Sequence, residues 1–542
     1  MMRWLPVLGA VGGLALAALL WKTMPLGADP SNLAGEADPF GGNPFEEMEG
    51  AVGASPPNVL FIVWDTVRAD RLSVYGYERD TTPLLAEFAE DALVFEQARS
   101  PGIWTLPSHA SMFTGLPPES TGARETWMWL DTPHLTMAEH FQEHGYNTFS
   151  LAANTLLSKD TNLVQGFHVP MNTFKGKLAP MAKKATQEKQ AALPGDVSQE
   201  LAPGWVPPEH GATNAEWARA AYKESAPIVT RTFLKWLDHR NRPETPFFAF
   251  LNLMEAHTPR LPSMEARQAV IDDPALIDLG LKTDAGHINL HFYNFGKHDY
   301  TERELEAINA VYDATLWELD QATGDLLAKL QARGDLDNTI VVLTSDHGEN
   351  LGDHHLFNHR LTLADTLTHV PLIIRGPGIE AERVETPVST MDLFPTLSAW
   401  MGIPRPAGLH KVHLLDNPRP AVTRMETPLR REIETVQAVF PDVAIEPWLR
   451  SGYAMVHGDL SKTVAWDEGD VYGFDLTADP GETTKVSPSQ EHVRRMQRYK
   501  STVPAYDPDN RTEADDPVHV RASQEELQQQ LEALGYVQEE AP

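Results

Sequence analysis

The chain of 542 residues contains no cysteine. This absence excludes disulfide bonds, metal sites built on thiolates, cysteine nucleophiles and lipid attachment through a thiol. It does not indicate a compartment, because a chain without thiols suits oxidising and reducing surroundings equally well.

Positive charge is also scarce, since 44 Lys and Arg residues stand against 76 Asp and Glu residues, for a formal charge of −32. A surface this acidic repels nucleic acid and anionic lipid. We therefore expect no nucleic-acid partner. An anionic substrate would need local positive charge, from a metal ion or from a cluster of His and Arg residues.

The length and the 42% hydrophobic content suit one large domain plus a smaller one. Almost wholly apolar runs, typical of strands buried on both faces, occupy residues 58–64, 246–253, 339–344 and 370–374. Helical spacing occupies residues 82–95, 137–144, 215–238 and 302–333. This alternation predicts an α/β fold with a large mixed, mostly parallel sheet between helices, followed by a smaller C-terminal α+β subdomain.

The N-terminus has the sequence pattern of an export signal. Arg3 precedes an uncharged run that ends at Lys22, which predicts a signal peptide or membrane anchor over residues 1–24. The length favours an anchor, while Gly27 and Ala28 suit cleavage, so both alternatives stay open. The protein is expected to be periplasmic or to be anchored in a membrane, facing outside the cytoplasm.

Four further regions follow from composition and pattern. Residues 25–56 are rich in Pro, Gly and acidic residues, which is typical of a linker. Residues 57–408 are predicted to form the main domain and residues 409–542 the C-terminal subdomain, with a last helix over residues 524–534. Residues 170–210 lack a clear period and are predicted to be a surface insertion.

Chemistry-bearing residues follow the predicted strands. Asp65 comes directly after the first apolar run, His257 follows the second, and Asp346-His347 follow the third. Because the carboxyl ends of parallel strands meet at one edge of a sheet, we expect these side chains to lie close together.

The segment around Thr105 predicts a helix start. Pro107 suits the first helical turn, and a hydroxyl there lies among free N–H groups that favour anions. Thr105 is therefore a candidate nucleophile toward phosphate or sulfate. The alternative is that Thr105 only caps the helix, which is the favoured interpretation for this motif in isolation.

The segment after the third run is rich in metal-ligand types. Six acidic or imidazole groups lie between Asp346 and His355, and four histidines lie between His347 and His359. Such groups bind Mn²⁺, Zn²⁺, Mg²⁺ or Ca²⁺. A solvated acidic loop is the alternative, which the histidines disfavour.

Taken together, these segments resemble the sulfatases, a family of the alkaline phosphatase superfamily, from about residue 57 to the C-terminus. The motifs that carry the resemblance are NVLFIVWDTVRADRLSVYGY, TLPSHASMFTG, FLNLMEAHTPRLP, TSDHGENLGDHHLFNH with HVPLIIRGPG, MDLFPTLSAWMGIPRP and FDLTADPGETTKV. The second is similar to the family pattern C/S-x-P-S-R followed by TG. The resemblance implies an alkaline phosphatase-like fold.

The resemblance also implies residue roles. The implied ligands of a divalent metal ion are Asp65, Thr105, Asp346 and His347. The implied catalytic residues are Thr105 as nucleophile, and His109, His257 and His359 as groups that contact the transferred group or protonate the leaving oxygen. Arg68 and Arg360 are further candidates for holding anionic oxygens.

Two departures from the family concern the metal. Thr66 stands where the family usually has a second Asp, and His347 stands where many sulfatases have Asn. Both changes move the predicted shell from a calcium-like set of oxygens toward Mn²⁺ or Zn²⁺.

A larger departure is Thr105 with His109. Sulfatases convert Cys or Ser to formylglycine, but threonine is a secondary alcohol and cannot yield that aldehyde. The accompanying Arg is replaced by His109, so we predict no formylglycine. A metal-activated Thr105 hydroxyl still supports a covalent route, as in Thr-nucleophile phosphodiesterase and phosphoglycerol transferase relatives, which favours phosphate over sulfate esters.

The sequence therefore predicts a metal-dependent hydrolase of sulfate or phosphate esters. Its expected substrate is an anionic ester in the form of a small molecule, glycan or lipid. Two alternatives are a membrane-anchored phosphoglycerol-type transferase and a non-catalytic binding protein that kept the sulfatase fold.

Overall fold

A computed structural model describes residues 56–194, 225–240, 243–283, 285–409, 412–426, 430–516 and 520. Its strands are β1 Asn58–Trp64, β2 Leu93–Phe95, β3 Ala98–Arg99, β4 Asn147–Ala152, β5 Val169–Asn172, β6 Phe247–Leu253, β7 Thr339–Thr344, β8 Asn350–Leu351, β9 Phe357–Asn358, β10 Leu372–Arg375, β11 Glu382–Val384, β12 Val388–Ser389, β13 Ala421–Met425, β14 Gly452–Val456, β15 Ser461–Trp466 and β16 Val471–Asp475.

The α-helices alternate with these strands over most of the described chain. They are α1 Pro83–Ala89, α2 Thr105–Thr114, α3 Pro118–Thr121, α4 Met137–Glu143, α5 Ala179–Ala192, α6 Ala226–His239, α7 Met264–Val270, α8 Pro274–Lys282, α9 His287–Asn294, α10 Glu302–Arg333, α11 Asp365–Thr368, α12 Leu393–Trp400, α13 Arg430–Val439 and α14 Gln490–Thr502.

An eight-stranded sheet in the order β11-β2-β10-β7-β1-β6-β4-β5 organises the main part of the chain. Strands β7, β1, β6, β4 and β5 run parallel to one another, whereas β10 pairs antiparallel with both β7 and β2. The predicted mixed, mostly parallel sheet is thus confirmed. Its parallel half brings the carboxyl ends of four consecutive apolar strands to one edge.

Helix α10 covers one face of this sheet. It begins at a capping box formed by Thr301 and Glu304 and ends at Gly334, whose φ of 75° a side chain with a Cβ adopts poorly. Its buried Leu316 and Leu319 belong to the same apolar cluster as Leu60 of β1. The long helix predicted from residues 302–333 is therefore confirmed at both ends.

Two of the predicted elements are wrong in part. Residues 82–95 form helix α1 only to Ala89, and the next three apolar residues form strand β2 between β10 and β11. Leu93, Val94 and Phe95 are all buried, which suits a strand covered on both faces better than a surface helix.

The segment predicted as a featureless surface insertion has defined structure in its first part. Residues Val169–Asn172 pair with β4 at the sheet edge, and α5 follows. Leu178 and Ala182 join the main apolar core. The remainder of this insertion, from residue 195, lies outside the described residues, as does the predicted start of the helix at residues 215–224.

Four antiparallel strands in the order β13-β14-β15-β16 form a second sheet. Met496 of α14 packs on its apolar face with Val422 and Met455. The Thr423 hydroxyl donates to the Ser100 carbonyl at 2.6 Å, which ties this sheet to the segment that leads to Thr105. A domain boundary at residue 409 stays a prediction.

The predicted signal peptide or anchor, most of the linker and the predicted last helix lie outside the described residues. None of the described helices combines the length and the apolar composition that crossing a bilayer requires.

Candidate active site

The carboxyl edge of the parallel strands carries the predicted site residues. Asp65 follows β1 and Asp346 follows β7 with one residue between, and β1 pairs in parallel with both β7 and β6. His257 comes a few residues after β6. Strand register therefore brings together groups that lie far apart in the sequence, as expected.

Asp65 is completely buried and held on one side only. Its Oδ2 accepts hydrogen bonds from Asn154 Nδ2 at 2.8 Å and from Asn252 Nδ2 at 3.2 Å. Its buried Oδ1 accepts none from the residues that the structure describes. Burial, and then the nearby charge of Asp346, raise the pKa of Asp65 to about 7.

Asp346 is the second buried carboxylate. Its Oδ1 accepts from the backbone N–H groups of His347 at 3.0 Å and Thr66 at 3.3 Å. Its Oδ2 lies 3.3 Å from His347 Nε2 and accepts no hydrogen bond of normal geometry from the described residues. Burial raises the pKa of Asp346 to about 7, against these backbone donors.

Thr66 reaches Asp346 through an unusual backbone conformation. Its φ is 62°, a left-handed value that costs a β-branched residue energy. Tyr312 donates from its hydroxyl to the Thr66 carbonyl at 2.9 Å and holds that conformation. The residue that replaces a family carboxylate therefore contributes a backbone donor to the site.

His347 presents a lone pair to the two carboxylates. Its Nδ1 lies 2.9 Å from the Gly348 carbonyl, and because a carbonyl only accepts, Nδ1 carries the proton. Burial, and then His359, lower the pKa of His347 to about 3, so the ring is neutral and Nε2 is an acceptor. Metal-bound histidines are typically held in this way.

Asp65, Asp346 and His347 fit a divalent cation. One ligand atom from each lies within 4.8 Å of the others, and all three residues are buried. Two carboxylate oxygens without a donor and an imidazole lone pair are costly to bury together unless a cation joins them.

Thr105 lies beside this cluster at the start of α2. Trp104 occupies the N-cap position and Thr105 is the first helical residue, without a side-chain capping hydrogen bond. The capping interpretation is therefore wrong. Thr105 Oγ1 lies 3.5 Å from His347 Nε2 and accepts from Asn154 Nδ2 at 3.3 Å.

His109 is completely buried one turn further along α2. Its Nδ1 donates to the Thr105 carbonyl at 2.9 Å and lies 3.5 Å from Asp346 Oδ2. The ring contacts the edges of Phe113 and Phe250, and burial lowers its pKa to about 3. His109 thus supports Thr105 from within the protein, and its direct contact with the transferred group stays a prediction.

His359 and His257 extend the line of imidazoles from the metal cluster. The ring centroids of His347 and His359 are 4.5 Å apart, and those of His359 and His257 are 5.1 Å apart. Burial, and then Arg360, lower the pKa of His359 well below its ordinary value. The catalytic assignment of His257 and His359 stays a prediction.

The two arginine candidates have different surroundings. Arg68 Nη1 binds Asp353 at 2.7 Å and Nη2 binds Asp70 at 2.7 Å. Its donors are occupied, so the expectation that Arg68 holds substrate oxygens is wrong. Arg360 lies over the ring of Trp104, with 5.3 Å between Cζ and the ring centroid. Trp104 directly precedes Thr105 in the sequence.

Sequence reasoning missed four polar residues of the site. Asn154 and Asn252 hold Asp65, and Arg260 binds the buried Glu349 at 2.8 Å. Glu349 Oε1 in turn lies 3.4 Å from His359 Nδ1. The sequence contains a signal for each asparagine. Asn252 is a polar residue inside an otherwise apolar run, and Asn154 comes shortly after β4, the strand beside β6 in the sheet.

Comparisons with known proteins agree with this geometry. The family model described as Sulfatase matches residues 57–403. Arylsulfatase K of Bos taurus is 26% identical over 474 residues, covering 81% of this chain and 80% of its own. An ulvan-active sulfatase of Formosa agariphila is 26% identical over 381 residues, covering 68% and 66%.

Solved structures show the same fold. The phosphonate monoester hydrolase of Agrobacterium radiobacter superposes with a TM-score of 0.59 at 20% identity, covering 82% of this chain and 94% of its own. Since the family model spans most of the chain and includes Asp65, Thr105, Asp346 and His347, the chain belongs to the sulfatase family of ester hydrolases in the alkaline phosphatase superfamily.

Proposed function

We propose that this enzyme cleaves its ester through the hydroxyl of Thr105, without formylglycine, and that its preferred substrate is a phosphoester. The observation that supports the proposal best is the place of Thr105 Oγ1, at a helix start and 3.5 Å from His347 Nε2. An anion that approaches this oxygen also meets the free N–H groups of the first helical turn.

The residues proposed to hold the metal are Asp65, Asp346 and His347, with Thr105 beside them. A mixed oxygen and nitrogen set favours Mn²⁺ or Zn²⁺ over Ca²⁺. A divalent cation in this place supplies the positive charge that lowers the pKa of the Thr105 hydroxyl and offsets charge on the transferred group.

The proposed reaction has two displacements. Thr105 Oγ1 forms a bond to phosphorus while the bond to the leaving oxygen breaks, and the proton that leaves Oγ1 passes through the imidazole of His359 or His257 to the leaving oxygen. Water then attacks phosphorus while the bond to Oγ1 breaks, and one water proton passes through the same imidazole to Oγ1, which restores the Thr105 hydroxyl.

The preference for phosphorus rests on the resemblance to phosphodiesterase and phosphoglycerol transferase relatives with a Thr nucleophile, and the side chain of Thr105 determines how the covalent ester can be cleaved. A formylglycine hydrate is regenerated by elimination, because its reacting carbon carries a second hydroxyl. Thr105 lacks that hydroxyl, so its ester must be cleaved at the phosphorus or sulfur atom. Sulfate ester hydrolysis is the second candidate, favoured by relatives that are named as sulfatases.

Two further parts of the proposal concern location and acceptor. The charged and then apolar run at residues 3–22 supports a site of action outside the cytoplasm. If the chain is anchored there, a lipid or glycan alcohol can replace water in the second displacement. Product analysis with and without an added acceptor alcohol separates transfer from hydrolysis.

A paired assay tests the nucleophile. Wild type, Thr105→Ala and Thr105→Ser are compared on an aryl sulfate, a phosphate monoester and a phosphodiester, with metal analysis of each protein. We expect Thr105→Ala to lose at least roughly 10³-fold in kcat and Thr105→Ser to keep part of the activity. Thr114→Ala, at the other end of α2, serves as the control. Wild-type turnover by Thr105→Ala would overturn the proposal.

A further inference from the structure

We propose that Asn154 is a positioning residue with two tasks, which are to orient the Thr105 hydroxyl and to select which oxygen of Asp65 faces the metal cluster. The first task rests on the proposed role of Thr105 as nucleophile. The second concerns only the carboxylate and stands apart from that role.

The amide of Asn154 makes both contacts through one nitrogen. Asn154 Nδ2 lies 2.8 Å from Asp65 Oδ2 and 3.3 Å from Thr105 Oγ1. An amide nitrogen carries two hydrogens, so both contacts form at once. Asn154 is buried, so water does not compete for these two contacts unless the site opens.

The orientation of this amide is fixed by its surroundings. Asn154 Oδ1 accepts from the backbone N–H of Leu156 at 3.0 Å. Because that N–H can only donate, the oxygen faces the backbone and the NH₂ group faces the site. An amide turned by 180° would place its NH₂ group against the backbone N–H of Leu156, so that two donors would face each other.

Asn252 holds the backbone of Asn154 in place. Its Oδ1 accepts from the N–H groups of Asn154 at 2.9 Å and Ala153 at 3.2 Å. Its Nδ2 donates to Asp65 Oδ2 at 3.2 Å. Strand β6, which carries Asn252, thereby couples the end of β4 to the carboxylate at the end of β1.

The first consequence concerns Asp65. Two amide donors converge on Oδ2, so Oδ1 is left toward Asp346 and His347 as the oxygen available to a cation. Removing Asn154 lets the carboxylate rotate and weakens this selection. Partners of this kind typically contribute a factor of about 10–100 in metal affinity.

The second consequence concerns Thr105. Its oxygen accepts a hydrogen bond from Asn154 Nδ2, so its own proton must point away from that amide. The metal cluster is nearby, since His347 Nε2 lies 3.5 Å from Thr105 Oγ1. The donor also stabilises negative charge that develops on Thr105 Oγ1 as the proton leaves.

Two variants separate the loss of turnover from the loss of metal binding. Asn154→Ala removes both contacts. Asn154→Asp keeps the shape but donates to neither Thr105 nor Asp65, and its added carboxylate supplies a further charge for the cation. Asn147→Ala, at the first residue of β4, the strand that leads to Asn154, is the matched control and is expected to match wild type in every measurement.

The measurements are kcat, KM, Tm and the affinity of metal-free protein for Mn²⁺. We expect Asn154→Ala to lose about 10–100-fold in both kcat and Mn²⁺ affinity, with KM within about threefold of wild type. Asn154→Asp is expected to lose kcat by a similar factor while Mn²⁺ affinity stays at or above the wild-type value.

The Mn²⁺ measurement is repeated in a Thr105→Ala background. A weaker affinity caused by Asn154→Ala there supports the orientation of Asp65, even if Thr105 proves not to be the nucleophile. Wild-type kcat and Mn²⁺ affinity in Asn154→Ala would overturn the inference. So would a loss of activity that matches only the loss of folded protein.

Discussion

Two clusters of buried charged residues in this protein differ in how their charges are balanced. The metal cluster contains Asp65, Asp346 and the neutral His347, and no Lys or Arg among the described residues forms an ion pair with either carboxylate. The paired cluster, defined by Arg99, Asp365, Lys462 and Glu482, balances two cations against two anions.

The contacts of the paired cluster are short. Asp365 binds Arg99 Nη2 at 2.9 Å and Lys462 Nζ at 2.7 Å, and Lys462 Nζ also binds Glu482 at 2.7 Å. These contacts join β3, α11, β15 and the turn after β16. The cluster therefore links the second sheet to β3 and α11.

The difference separates structural from functional charge. Opposite charges in the paired cluster offset the cost of removing each other from water, so the loss of one partner is damaging. The metal cluster places like charges together, which costs stability unless a cation is bound. Proteins keep such an arrangement where function requires it.

Neutralising one carboxylate of the metal cluster is expected to have the largest effect. Asp346→Asn should lower kcat by roughly 10³-fold or more, because several kcal/mol of charge stabilisation depend on the bound cation. In the presence of a chelator the same variant should be more stable than wild type by about 1 kcal/mol, since the like-charge repulsion disappears.

Urea unfolding with a chelator checks the stability part. Asp337→Asn, on an exposed turn after α10, is the control and should change neither kcat nor stability measurably. A chelated Asp346→Asn protein that is less stable than chelated wild type would contradict the contrast between the two clusters.

Breaking the paired cluster is expected to give the opposite pattern. Lys462→Met leaves the buried Glu482 without the cation that binds it, and leaves Asp365 with Arg99 alone. The variant should cost about 3–5 kcal/mol of unfolding free energy. Turnover per folded molecule should stay within a few-fold of wild type.

An exposed pair provides the comparison for that measurement. Lys329 binds Asp325 at 2.6 Å with about half of each side chain exposed, so Lys329→Met should cost less than about 1 kcal/mol. Equal losses of unfolding free energy in Lys462→Met and Lys329→Met would show that the paired cluster does not stabilise the contact of the second sheet with β3 and α11.

Metal removal should separate the clusters further. Mn²⁺ at about 100 times its Kd is expected to stabilise wild type by about 2.7 kcal/mol. The gain should be retained in Lys462→Met and lost in Asp346→Asn. Thermal unfolding with and without chelator measures it, and a full Mn²⁺ gain in Asp346→Asn would place the ion elsewhere.

The smallest expected effect concerns the ion pair between Arg68 and Asp353. Burial alone would raise the pKa of Asp353, but the charge of Arg68 outweighs burial and lowers this pKa from its ordinary value of 3.8 to about 2. A depressed folded-state pKa stabilises the protein above pH 3.8, and this contribution disappears as the pH falls through 2.

Asp353→Asn should therefore cost about 1 kcal/mol at pH 7, a value discounted for the partial exposure of this side chain. The difference in unfolding free energy between variant and wild type should narrow as the pH falls from 5 to 2. A difference that stays constant over this range would assign the pKa shift to another group.

Much of the fold could be predicted because the relevant elements carry strong patterns. The apolar runs of β1, β6 and β7 and the capped α10 have a single simple interpretation. The three residues of β2 were assigned to a helix, since helical spacing in the preceding residues runs into them without a Gly or Pro. Only pairing with β10 and β11 identifies them as a strand.

The site residues likewise fall into those that the sequence predicts and those that it does not. Asp65, Asp346 and His347 follow apolar strands directly, and this position reveals them. Asn252 acts because strand register sets it opposite Val63 and Ala152, which no local pattern encodes. Arg68 looked available because Asp353, one of its two ion-pair partners, lies far away in the sequence.

The stereochemical course at the transferred atom tests the role of Thr105 most directly. Wild type is given its best substrate made chiral at phosphorus or sulfur by oxygen isotopes, and the configuration of the product is determined. Two successive displacements through Thr105 predict retention of configuration. Inversion would require a single direct attack by water and would contradict the account.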